Sequence, residues 1–189
     1  MPNTENAGRL FVVSGPSGSG KSTLCREAVK RTDAQLSISA TTRLRGNNEV
    51  DGKDYFFLAE KDFLEKVDAG EFLEHARVYG NYYGTPAQAV RQQLDPGRKV
   101  VLEIDVQGAS QVFASRPNAV GILVLPPDSE ELKRRLTHRG RDSTDVIEKR
   151  LQKAQQEVEQ AQADGHYKHT IVNDKLETAI QELVALFDE

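Results

Sequence analysis

The segment Gly15-Pro16-Ser17-Gly18-Ser19-Gly20-Lys21-Ser22-Thr23 restricts this chain more than any other. It satisfies the spacing G-x-x-x-x-G-K-[ST]. It also lies between an apolar, β-branched run, Leu10 to Val13, and a helical pattern formed by Leu24, Cys25, Ala28 and Val29. A strand that turns through glycines into a helix lets backbone N–H groups curve around a polyphosphate, and the helix N-terminus adds its partial positive charge. Lys21 is placed to reach β and γ phosphates, and the Ser22 hydroxyl to ligate Mg²⁺. A glycine turn that only caps a helix would need neither. The stretch from Gly15 to Thr23 therefore reads as a nucleoside triphosphate site.

The rest of the chain repeats the strand–helix alternation. Val100 to Ile104 and Gly121 to Leu125 are continuous apolar runs, as expected of strands buried on both faces, and His169 to Val172 is a shorter candidate. Helical patterns follow at Ala109–Ala114, Asp128–Leu136 and Lys175–Phe187, with Asp174 expected to cap the last and Glu177 at its third position. This pattern predicts an α/β fold with a parallel sheet flanked by helices. Two stretches interrupt it. The region 37–94 has short aromatic strands and one helix (Phe63, Leu64, Val67, stopped by Gly70), and reads as an inserted subdomain. From Thr137 to Ser143 the chain turns basic and glycine-broken, and it then enters a long helix striped by Ile147, Leu151, Ala154, Val158 and Ala161.

Composition narrows the classes of function. At 189 residues the chain is expected to form one domain. Its net charge of −4, with signs interspersed, argues against bulk binding to nucleic acid or an anionic membrane. The single Cys25 fits a reducing compartment, and residues 1–8 lack a signal-peptide pattern, so a cytoplasmic location is expected.

The strand ending Glu103-Ile104-Asp105 places two carboxylates where Mg²⁺ near a phosphate loop can be held, although a strand-end acid can also simply face solvent. Asp105-Val106-Gln107-Gly108 matches the D-x-x-G of GTPases. The Asn-Lys-x-Asp element that would read guanine there is absent, because Asn173-Asp174-Lys175-Leu176 has the wrong order.

A more specific set lies in the insert: Thr41-Thr42-Arg43, Glu49, Gly52, Tyr55-Phe56-Phe57-Leu58, Glu74-His75-Ala76 and Gly80-Asn81-Tyr82-Tyr83-Gly84-Thr85. Together with the phosphate loop, Glu103 to Gly108 and Ile171 to Asp174, these motifs resemble guanylate kinase, a P-loop nucleoside monophosphate kinase, over nearly the whole chain. The resemblance implies ATP + GMP → ADP + GDP with Mg²⁺. It also implies a core (9–36, 95–127 and 165–189), a GMP-binding insert (37–94) and a lid (128–164). Its nucleotide partners would be ATP and GMP, and it implies no obligate protein partner.

By the same resemblance, Glu74 accepts the two adjacent guanine donors, and Ser39 and Thr85 serve the guanine oxygen. Arg43, Arg45, Tyr55 and Tyr83 hold the acceptor phosphate, and Asp105 contacts GMP as well as metal. Ser22 and Glu103 complete the metal set. Lys21, Arg43, Arg139 and Arg150 carry the charge of transfer, and Asn173 lies on the adenine side. One departure stands out: the family's second basic residue, three positions after the arginine of Thr-Thr-Arg, is here Gly46, with Arg45 one residue earlier. A kinase for another nucleoside monophosphate, a guanylate-kinase-like binding module without turnover, and a GTPase are the rival readings.

Overall fold

The computed structural model describes residues 8–138 and 144–189. Its central sheet has the order β2-β7-β1-β8-β9, formed by Gln35–Leu36, Lys99–Glu103, Arg9–Ser14, Val120–Leu125 and Tyr167–Val172. Every pairing in it is parallel. The strands expected at 10–13, 100–104, 121–125 and 169–172 are all present, each with slightly different bounds.

Their uniform hydrophobicity follows from burial on both faces. In β1, Phe11 and Val13 join one core cluster with Leu24, Cys25 and Ala28 of α1 (Lys21–Val29) and Ile180, Leu183 and Phe187 of α7 (Leu176–Asp188). Leu10 and Val12 join the opposite cluster with Val90 of α3 (Ala87–Leu94) and Ala109, Val112 and Phe113 of α4 (Val106–Ser115). Alternation is present in direction, not in polarity.

One expected cap is corrected. α7 begins at Leu176 with Lys175 as its flanking residue, and no side chain caps it. The Asp174 N–H turns back to the Val172 carbonyl instead. Glu177, expected to help at this end, is drawn to Arg31 beyond the end of α1 by hydrogen bonds of 2.6 and 3.0 Å.

The insert forms a second sheet of order β4-β3-β6-β5, from Phe56–Phe57, Ala40–Thr41, Asn81–Pro86 and Phe72–Val78. Its helix, α2 (Glu60–Asp68), buries Phe63, which stacks on Phe72 with centroids 4.5 Å apart. Gln111 of α4 docks this sheet on the core. Its amide donates to the His75 carbonyl at 2.8 Å and accepts from the His75 N–H at 3.2 Å, as a neighbouring strand would.

After β8 come α5 (Ser129–His138) and the long helix α6 (Thr144–Asp164). Ile147, Leu151 and Ala154 of α6 pack on Leu132 and Leu136 of α5. Ala161 instead joins Val106 and Leu123, so the far end of α6 is seated on the core.

Phe187 is fully buried and tilts against Phe11 at 5.0 Å. Phe187→Ala should therefore lower unfolding free energy by about 3–5 kcal/mol in urea titration, the range for emptying a buried aromatic site; a loss below about 1 kcal/mol would mean that α7 collapses into the gap.

Candidate functional site

A cavity of about 370 Å³ runs between the phosphate loop and the inserted sheet. At its loop end, Gly20 adopts φ +94°, and a Cβ there would fall 2.2 Å from the Asn173 amide nitrogen. Glycine is thus required by conformation and by space. No side chain caps α1 and no acidic residue occupies its first turn, so its N–H groups and positive end remain available to an anion. The Lys21 ammonium donates to the Gly15 and Pro16 carbonyls across the loop. Burial lowers its pKa, opposed by the charge of Glu103. The Ser22 hydroxyl hydrogen-bonds to the Glu103 carboxylate.

At the other end stands Glu74. A register shift in β5 between Phe72 and Glu74 places it opposite Thr85 on the buried face of that strand. Such irregularities re-aim side chains. Glu74 is only 4% exposed, and the Thr85 hydroxyl donates to it at 2.6 Å. Burial pushes its pKa up to about 7; the Thr85 bond opposes the rise and the charge of Asp105 adds to it.

The N-terminal turn of α4 closes the floor of this pocket. Asp105 caps the helix by accepting the Gly108 N–H at 2.8 Å. A Cβ on Gly108 would lie 2.2 Å from a Glu74 carboxylate oxygen. The D-x-x-G match noted in the sequence is therefore a helix cap followed by a residue small enough to leave room for Glu74. The second Asp105 oxygen, Oδ2, is buried with no hydrogen-bond partner among the described residues.

Aromatic and cationic groups flank the cavity. Tyr55 and Tyr83 both line it, with ring centroids 6.1 Å apart, and Ser39 lines the same wall. Burial, then the charge of Glu103, pushes the Tyr55 hydroxyl up to about 12. Arg43 makes a bidentate pair with Glu49 at 2.7 and 2.9 Å and lies over the Tyr55 ring at 5.6 Å. Its pKa is raised, first by the Glu49 hydrogen bond.

Arg45 is exposed, and neither it nor Arg43 nor Thr85 lines the cavity itself. The residue at the family's second basic position, Gly46, is engaged differently. Its N–H donates to the Glu49 carboxylate at 2.7 Å, and its carbonyl accepts from the Glu49 N–H at 3.1 Å. The same carboxylate thus holds Arg43 and this tight turn.

On the far side of the loop, Asn173 is buried and donates to the Ser19 carbonyl at 2.7 Å. It fastens β9 to the phosphate loop and starts no helix. Arg135 of α5 reaches the same place, donating to the Asn173 carbonyl at 2.8 Å and the Ser19 carbonyl at 3.5 Å. Arg150 lines the cavity from α6; Arg139 lies outside the described residues.

Sequence reasoning assigned no role to Glu157, which lines the cavity, or to Gln111. Burial raises the Glu157 pKa, partly offset by Lys153 and Lys21.

Among the described residues no cluster of three or more His, Cys, Asp or Glu side chains could hold a metal alone. The donors present are oxygens: the Ser22 hydroxyl, the Glu103 carboxylate and the unpartnered Asp105 Oδ2. That set suits a hard divalent cation which keeps waters and shares phosphate ligands.

The guanylate kinase family model matches residues 7–189. A guanylate kinase of Thiobacillus denitrificans is 47% identical over 187 residues, covering 98% of this chain and 88% of that protein. One from Clostridium perfringens is 43% identical over 183 residues, covering 96% and 83%. The crystal structure of guanylate kinase from Anaplasma phagocytophilum superposes with a TM-score of 0.80 at 31% identity, covering 97% of this chain and 86% of that one.

The raised pKa of Glu74 has a defined consequence for stability. The folded protein binds this proton more tightly than the unfolded chain, so stability falls as pH rises from about 4.5 to about 7. Glu74→Gln should remove that fall, leaving the variant more stable than the parent at pH 8 by roughly 1–3 kcal/mol. Parallel melting curves at pH 5 and 8 check this; an equal pH dependence in both proteins would contradict it.

Proposed function

We propose a division of roles within the site, from the premise that the chain belongs to the guanylate kinase family. The chain is a nucleoside monophosphate kinase that phosphorylates GMP with ATP.

The reading begins with Glu74. Guanine presents N1–H and an exocyclic amine side by side, and one carboxylate accepts both. Adenine offers an unprotonated N1 to the same position and repels it. Glu74 is the guanine reader, with Thr85 orienting it and Ser39 on the same wall. The buried position of Glu74 at the cavity end opposite Lys21 is the observation that carries this assignment.

The transfer itself needs no general base. An anionic oxygen of GMP attacks the γ-phosphorus of ATP, a new P–O bond forms, and the bond to the β–γ bridging oxygen breaks to release ADP. The obstacle is repulsion between two anions, so alignment and charge neutralisation dominate. Gly15 to Thr23 cradle the donor phosphates, and Lys21 follows the γ-phosphoryl group. Arg43, steadied by Glu49 and the Tyr55 ring, holds the acceptor phosphate with Tyr55 and Tyr83. Arg150 and Arg139 complete the cationic shell from the lid, and Asn173 borders the adenine.

Ser22, Glu103 and Asp105 would hold Mg²⁺, which supplies neutralisation of the β- and γ-phosphates when bound. In this division, 9–36, 95–127 and 165–189 form the core, 37–94 the acceptor insert and 128–164 the lid. The setting is cytoplasmic purine metabolism, returning GMP to the diphosphate, with no obligate protein partner.

ADP formation from ATP and Mg²⁺, measured with GMP, AMP, CMP or UMP as acceptor, tests the assignment. Turnover should depend on GMP. Glu74→Gln should raise the KM for GMP by about 10–100-fold, the equivalent of one charged hydrogen bond, while leaving the KM for ATP near its parent value. An unchanged KM for GMP would remove Glu74 from the role of reader.

A further inference from the structure

The hairpin joining β5 to β6 turns at Tyr79-Gly80, with φ of +48° and +85°. Turns of this hand favour asparagine, aspartate or glycine at the first position, because a bulky side chain crowds the backbone there. Tyr79 is the sole non-glycine residue with positive φ among those described, and it is 49% exposed. Burial of its ring in the hairpin's own sheet therefore does not account for it.

The ring packs across the cavity mouth, against α6. The Arg150 guanidinium lies 4.9 Å from its centroid and the Lys153 ammonium 4.6 Å. Lys153 is in turn 3.7 Å from Glu157. Tyr79, Arg150 and Glu157 all line the cavity that Lys21 enters from the other side. One aromatic ring at the tip of the inserted sheet thus meets two cations of the lid helix.

We propose that Tyr79 is a positioning residue for phosphoryl transfer, a latch that ties the acceptor hairpin to α6 and holds the Arg150 guanidinium over the cavity. The inference rests on the reading of Arg150 as a phosphate contact. A long arginine left without a seat loses alignment through its rotamer freedom, and the face of an aromatic ring attracts a cation without neutralising its charge. A carboxylate in the same place would compete with phosphate. Such a contact is also weak enough to open on every turnover, as a lid requires.

Steady-state kinetics of Tyr79→Asn, Tyr79→Phe, Arg150→Ala and the Tyr79→Asn/Arg150→Ala pair test the latch. Asparagine suits the turn but removes the ring, so its melting temperature should match or exceed the parent's. Its kcat should fall about fivefold, with both KM values within about twofold, in keeping with a modest cation–π contact. Tyr79→Phe should retain parental kcat. The double variant should be no slower than Arg150→Ala alone, because the ring then has no arginine to place. Parental kcat in Tyr79→Asn, a rise in KM at unchanged kcat, or additive losses in the pair would each overturn the latch. Full activity in Arg150→Ala would instead show that the role given to Arg150 is wrong, and the latch would fall with it.

Discussion

The docking of β5 on the first turn of α4 is the contact on which the rest of the site depends. It brings a strand of the insert against a helix that begins at the end of β7, a core strand. Gln111 fixes the approach by bonding both polar groups of the His75 backbone. Gly108 sets how close it can be, since a Cβ there would occupy the place of a Glu74 oxygen. Once the two elements meet, Glu74 is enclosed at the end of the cavity opposite the phosphate loop.

That enclosure has an electrostatic cost, and its location is instructive. A carboxylate hidden from water beside Asp105, and only partly relieved by hydrogen bonds from the Thr85 hydroxyl and backbone, holds its proton more tightly than a surface glutamate. A ligand that offers two N–H donors restores what burial removed. The same logic appears at the loop, where, among the described residues, no side chain caps α1 and the desolvated Lys21 is met by backbone carbonyls alone. Both ends of the cavity are incompletely satisfied polar surfaces of opposite preference.

Much of this was legible in the sequence, for reasons that differ by element. The core strands could be read because burial on both faces leaves uninterrupted apolar runs, and the loop because its glycines and lysine have fixed spacing. The α7 cap was misread because the chain turns at Asp174, whose N–H bonds the Val172 carbonyl, and the helix starts one residue later than a cap there requires. Gln111, Glu157 and Tyr79 could not be found by spacing, since each matters only through an element distant in the chain. At the displaced basic position Gly46 closes a turn with Glu49, and Arg45 is exposed. Arg43 is held by Glu49 and lies over the rings of Tyr55 and Phe57.

A carbon-13 NMR titration of the Glu74 side-chain carboxyl, with and without GMP, tests the central claim most directly. The account predicts a pKa near 7 in the free protein, far above the ordinary 4.5, and a marked fall when GMP is bound. An ordinary value in the free protein, or a pKa that GMP leaves unchanged or raises, would contradict the assignment of this buried carboxylate as the group that reads guanine.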